Sequence, residues 1–268
     1  MRTTPTGRCR ALALMVLAAA PAIAAAQVTD FNTWTQVQDP PNVNFIGSVG
    51  SAAQVTLQAT AGPVPNAVDI GYQSVSGATV ATSAQGFYFD PAASFTIAVD
   101  YAFSSTNASG NLGLGFGIGE DINGTDSAGV AVAIVNGVGA GVLAASRVND
   151  VSSTPLLSLG APLTGSMIVG YDATTGNVTV GVAAATGVNT PTTSTTLSGI
   201  QNQWDDEPLL ASFFLRSEGW TSGQATAVFS NFRVAAGSAT AIPEPTAAAA
   251  LAAAAPLLLR RRREHILP

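Results

Sequence analysis

The sequence predicts an all-β protein, two antiparallel sheets packed as a sandwich, on three observations. Strand-period alternation recurs along the chain, turn clusters punctuate it at short intervals, and no helical segment falls between the strands. The clearest alternation is Phe95, Ile97, Val99, Tyr101 and Phe103, with Thr96, Ala98, Asp100 and Ala102 between them. Residues two apart share one face of a strand, so this segment buries one side and leaves the other polar or small.

In chain order, residues 1–26 read as a signal helix. Arg2, Arg8 and Arg10 form a positive region, residues 11–20 a short apolar core, and Ala24, Ala25 and Ala26 a small-residue cleavage site. That is a secretory signal peptide, removed to leave Gln27 first. The arginines are not adjacent, so it is not a twin-arginine signal, and Cys9 precedes the apolar core, where no lipoprotein cysteine sits. The body, 27–237, is expected to form strands at 54–59, 67–73, 86–89, 95–103, 112–119, 129–135, 141–148, 166–171, 178–182, 209–216 and 225–234. Turns fall at Gly62-Pro63, Asp90-Pro91, 104–110, 121–124 and 160–162. Residues 172–177 join two strands as a hairpin. The polar run 190–198 reads as an exposed loop, and 238–242 as a linker into the last domain, 238–268.

Composition excludes much chemistry. Cys9 and His265 are the only cysteine and histidine, and lysine is absent. From Gln27 to Ile242 three arginines (Arg147, Arg216, Arg233) stand against fourteen carboxylates, a formal charge of −11. Such a body repels nucleic acid and anionic membrane surfaces; it suits cations, neutral glycans or plain solubility. No disulfide supports it, so its core must hold it. Without His or Cys there is no Ser-His-Asp or Cys-His system and no imidazole or thiolate metal site. Without lysine there is no phosphate loop.

Carboxylate chemistry remains. A glycosidase needs two carboxyls flanking one bond. The body has Glu120, Glu207 and Glu218 but no Glu-x-Asp-x-Glu alternation, and adjacent Glu120 and Asp121 point to opposite faces of a strand. No catalytic residue is assigned. Glu120, Asp121, Asn123 and Asp126 gather oxygen ligands as calcium loops do, though glycine falls too early for an EF-hand and Val132 stands where a closing glutamate would. An Asx-rich turn explains the same residues. Residues 204–207 are a second acidic cluster, read as a solvated loop. The strand at 112–119 places Gly113, Gly115, Gly117 and Gly119 on one face, either the floor of a glycan groove or room for bulky neighbours. Trp204 and Trp220 are candidate sugar-stacking residues, as is Trp34, although most tryptophans are core residues.

Two resemblances add to this. The hairpin Ile168-Val-Gly-Tyr-Asp-Ala-Thr-Thr-Gly-Asn-Val-Thr-Val180 and the closing strand Ala227-Val-Phe-Ser-Asn-Phe-Arg-Val234 resemble those of concanavalin A-like (laminin G-like) jelly rolls. The likeness covers most of 32–234 and implies a jelly-roll sandwich. At the other end, Pro243-Glu244-Pro245 precedes an apolar run, 246–259, and then Arg260, Arg261, Arg262 and Arg263. As a helix the run spans about 21 Å against a bilayer core of about 30 Å, and the arginines mark its cytoplasmic side. The three parts in this order resemble the PEP-CTERM sorting signal. The run is shorter and richer in alanine than usual for that signal, contains Pro256, and is followed by five residues beyond the arginines.

The resemblance implies recognition by an exosortase in a Gram-negative cell that makes exopolysaccharide. The chain is therefore expected to leave by the general secretory route with signal peptidase as a partner. Its apolar C-terminal helix anchors it transiently in the inner membrane, and it ends at the cell surface or in the extracellular matrix. The expected function is a non-enzymatic envelope or matrix protein that binds exopolysaccharide, with calcium as the one candidate cofactor and no nucleic-acid partner. The alternatives are a carboxylate-dependent carbohydrate-active enzyme of the glycoside-hydrolase jelly-roll type and a purely structural surface protein.

Overall fold

A computed structural model describes residues 29–42, 44–60, 67–106, 110–121, 124–135, 139–219 and 223–242. The segments expected to form the signal peptide, the sorting motif and the terminal helices lie outside the described residues. Among the described residues the chain forms β1 (Thr35–Asp39), β2 (Phe45–Ser51), β3 (Gln54–Thr60), β4 (Val68–Gln73), β5 (Gly86–Tyr88), β6 (Phe95–Thr106), β7 (Asn111–Gly119), β8 (Ser127–Val135) and β9 (Gly139–Val148). It continues with β10 (Val151–Ser153), β11 (Leu156–Leu159), β12 (Thr164–Asp172), β13 (Asn177–Ala183), β14 (Thr193–Leu197), β15 (Leu210–Glu218), β16 (Gln224–Ala236) and β17 (Thr240–Ile242).

Among the described residues two large antiparallel sheets result, with β5 and β17 as a separate two-stranded sheet. Sheet I runs β1-β4-β15-β7-β8-β9-β10, with β11 also on β9; sheet II runs β14-β13-β12-β6-β16-β3-β2. The two orders mirror each other. β4, β15 and β7 of sheet I are the sequence neighbours of β3, β16 and β6 of sheet II, so the chain crosses from sheet to sheet as a jelly roll does. Each strand buries its alternate residues in the space between, as the alternation of 95–103 requires. Phe95, Ile97, Val99, Tyr101 and Phe103 are all buried. At one end an aromatic group closes the core: the Trp34 ring lies 5.1 Å from Phe213 and 4.9 Å from Phe232, and Phe213 lies 4.5 Å from Phe229. Each such pair adds about 0.5–1.5 kcal/mol beyond the area it buries.

Three expectations change. The run 190–198 is not a loop: Thr193–Leu197 is β14, paired along β13. Threonine is β-branched and fits a pleated edge, and the Thr179 and Thr196 hydroxyls bond across the pair at 2.9 Å. The linker 238–242 contains β17, which pairs antiparallel with β5. The segments forming β1, β2, β10 and β11 also prove to be strands.

The segment between β13 and β14 folds back as a strap over the outer face of sheet II. Val188 packs there on Ala98, Ile168 and Ala183. Asp100 holds it down. Its carboxylate accepts bonds from Ser166 Oγ (2.6 Å), Gly187 N (2.9 Å), Asn231 Nδ2 (2.9 Å) and Arg233 Nη1 (2.9 Å). A bulge in β16 between Ser230 and Arg233, with Asn231 at φ 51°, turns both donors toward it. Burial alone would raise the Asp100 pKa, but these bonds outweigh it and hold the carboxyl below its usual range.

Candidate functional site

The outer face of sheet I carries a continuous uncharged row. Val37, Gly71, Phe214, Gly115, Ala131, Leu143 and Leu156 are direct cross-strand neighbours on seven successive strands. Their sequence neighbours Ile70, Phe213, Leu114, Val130 and Val142 are buried in the core, so the row faces out. At about 4.8 Å between strands the row is roughly 29 Å long.

Small residues shape it. A Cβ on Gly115 would fall 2.4 Å from Phe214 Cζ, and one on Gly141 2.8 Å from Leu156 Cδ1. Glycine therefore lets both side chains lie down on the sheet, an aromatic covering a bare cross-strand backbone. Of the alternating glycines of β7, Gly115 makes room for a bulky neighbour while Gly117 and Gly119 lie close to the backbone of the adjoining strand, and the Phe214 ring so seated is half-buried, with a part open to solvent. On one side the row is bordered by Asp39, Asp69 and Arg216. The Arg216–Asp69 pair closes at 2.8 Å but is well exposed, so it contributes little. The other oxygen of Asp69, Oδ1, is buried, and that burial raises the Asp69 pKa against the pull of Arg216. On the other side stand Thr35 and Ser212, both partly exposed, and Gln73, Gly117 and Gly129, which are buried. Gln73 Nε2 donates to Val75 O and Gly77 O, each at 3.0 Å, and Thr79 bridges Asp121. The loop after β4 is thus tied along the ends of β15 and β7.

The calcium candidates are regrouped at that end. Glu120, Asp126 and Asp205 place carboxylate oxygens within 4.8 Å of one another. Asp205 comes from the second acidic cluster and not from the turn. Asp121 is not one of the three; its Oδ1 accepts from Thr125 N at 3.2 Å, as an Asx-rich turn does. Asn123 lies outside the described residues. Glu120 and Asp126 are buried and already engaged. Glu120 accepts from Asp205 N (3.0 Å) and Glu207 N (2.8 Å), and Asp126 from Asn149 N (2.8 Å). Burial raises the Glu120 pKa; the two backbone bonds oppose this, and the charges of Asp126 and Asp205 add to it. Three carboxylates are fewer than the six to eight oxygens that calcium takes. What the arrangement does on its own is tie the loop before β15 and the turn after β9 to the end of β7.

Trp204 is not a sugar platform. It is buried in the core, and its Nε1 donates to Arg147 O at 3.3 Å. A short 3-10 turn, Gln201–Gln203, points it inward. Trp34 is likewise buried, and Trp220 lies outside the described residues. The solvent-facing aromatic of sheet I is Phe214, which the sequence reading did not single out.

No protein-family model matches the chain, and no curated protein matches it. Solved structures do. A functionally unknown protein from Saccharomyces cerevisiae is 14% identical with a TM-score of 0.51, covering 78% of this chain and 99% of that one. A β-glucanase from Bacillus licheniformis is 12% identical with a TM-score of 0.49, covering 79% and 96%. An alginate lyase from Pseudomonas aeruginosa is 14% identical with a TM-score of 0.48, covering 78% and 100%. These likenesses are of fold alone.

Proposed function

We propose that this chain is an exported, exosortase-sorted envelope or matrix protein, non-enzymatic, whose sandwich binds polysaccharide on the outer face of sheet I. The three-part tail supports the sorting. The single observation that carries the binding is the uncharged row across seven strands with Phe214 seated in it. An extended glycan laid across the strands meets an apolar floor, one aromatic face for its C–H groups, and a hydroxyl border at Thr35 and Ser212. Small-molecule sites share that mix of apolar lining and few polar groups. Glu120 and Asp126, at the strand ends beside the row, are committed to backbone N–H groups, which disfavours the hydrolytic alternative there: a glycosidase needs one free acid and one free base or nucleophile.

Two measurements test this. The intact mass of the protein recovered from its own host is expected to lack Arg260–Arg263; a mature species that keeps them sinks the sorting. Phe214→Ala is expected to weaken retention on the host's exopolysaccharide about tenfold, as loss of a central aromatic anchor does, with the melting temperature little changed. Equal retention by both proteins would remove the row from consideration.

A further inference from the structure

The outer face of sheet II is divided. Toward β13 and β14 the strap covers it. Across β6, β16, β3 and β2 it is open, and it carries no charge there. Register places Thr56 and Ser48 in one row, Ser104, Thr226 and Gln58 in the next, and Gln224 beyond. The alternate residues Val55, Leu57, Ala225, Ala227 and Phe229 are buried, so these six side chains point outward. None of the six makes a side-chain hydrogen bond to another described residue. On a body of charge −11, a face built only of hydroxyls, amides and a few apolar groups is a distinct chemical surface.

Its chemistry selects among partners. A protein partner is disfavoured on size and composition. Four strands at about 4.8 Å and three side-chain rows at about 6.8 Å give roughly 400 Å², half of what each side of a stable interface buries. The face also lacks the Trp, Tyr and Arg anchors that carry such interfaces. Anionic polymers and membranes meet a repulsive body. An uncharged, hydroxylated polymer fits. Each Ser, Thr and Gln side chain both donates and accepts, as sugar hydroxyls do, and the grid repeats along a flat sheet.

We infer that this face is a second polysaccharide surface, and that the protein bridges two neutral polysaccharide chains, one on each side of the sandwich. The inference rests on the reading of sheet I as a glycan-binding face. Each surface is weak alone; a matrix polymer presents many copies, and linked weak contacts hold through effective concentration.

The test uses the full secreted chain with dextran, mixed-linkage β-glucan and galactomannan, and alginate as the anionic contrast. Retardation in glycan-containing native gels reads binding, and light scattering across a protein-to-polymer titration reads bridging. A neutral glycan that retards the protein is expected to give scattering that peaks at an intermediate ratio, and alginate neither effect. Thr56→Val, Gln58→Ala and Thr226→Val together delete polar groups on strands where valine is at home, so the melting temperature is expected to hold. This variant is expected to lose about tenfold in scattering while retardation stays within about twofold, since one surface remains. Retardation without scattering at any ratio, or scattering unchanged in the triple variant, overturns the bridging and leaves the sheet I reading standing. No retardation by any of the three neutral glycans overturns both.

Discussion

Asp100 and Glu120 are both buried carboxylates on the outer margins of the same sandwich, and their surroundings push them in opposite directions. Asp100 meets an arginine, a serine, an asparagine and a backbone N–H. Glu120 meets two backbone N–H groups and two further carboxylates. Desolvation is the largest influence on both, yet Asp100 is lowered and Glu120 raised. The difference teaches that burial does not decide the charge state of a carboxylate; the sign of its neighbours does. Sheet II uses its buried charge as a fastener. Sheet I keeps an unneutralised cluster beside its candidate binding face.

The largest expected effect breaks the fastener. Asp100→Ala leaves Arg233, itself largely buried, without its counter-ion, and is expected to destabilise the fold by about 3–5 kcal/mol in urea unfolding. A loss below about 1 kcal/mol would mean that the strap carries no load through this pair.

Acid titration separates the two groups. Glu120 has a raised folded pKa, so as pH falls from that value toward its usual 4.5 the fold gains stability. Asp100 has a lowered one, so its contribution is complete above its usual 3.8 and is lost as pH falls through the folded value. Stability followed on acidification is expected to rise slightly and then drop. Asp100→Asn should shrink the drop and Glu120→Gln the rise, the remainder of each coming from Asp172, also lowered, and Asp69, also raised. Identical profiles for both variants would show that neither carboxylate behaves as its neighbours dictate.

The smallest effect is at Asp205. Asp205→Asn removes a like charge from beside Glu120 but keeps the backbone N–H that Glu120 accepts. A rise of about 1–2 °C in melting temperature at neutral pH is expected, a few tenths of a kcal/mol for a domain of this size. A fall would show that the cluster is held by something other than mutual repulsion among these three residues.

Much of the fold was legible because local pattern and global fold agree. The alternation at 95–103 became the central strand β6, and the hairpin at 172–177 joins β12 to β13 in register. β14 was not legible, because a run of Thr and Ser reads equally as a polar loop and as an exposed edge strand. The candidate site was harder. Each strand contributes one residue to the row on sheet I, so only the glycine alternation of β7 left a trace in the sequence. Phe214 sits between Phe213 and Leu215, and only its same-face neighbours Ser212 and Arg216 mark it as the outward one. Glu120 and Asp205 are 85 positions apart, and their meeting depends on pairing that no short window contains. Trp204 misled for the opposite reason: its acidic neighbours suggested solvent, while a single 3-10 turn sends the indole into the core.

The pairing of β17 with β5 carries the folded body as far as Ile242. Ile242 is still held opposite Gly86, and Pro243 is the next residue in the chain. An enzyme cutting at Pro243-Glu244-Pro245 would work against the wall of a folded domain. Peeling away the three residues of β17 would free about 10 Å of chain.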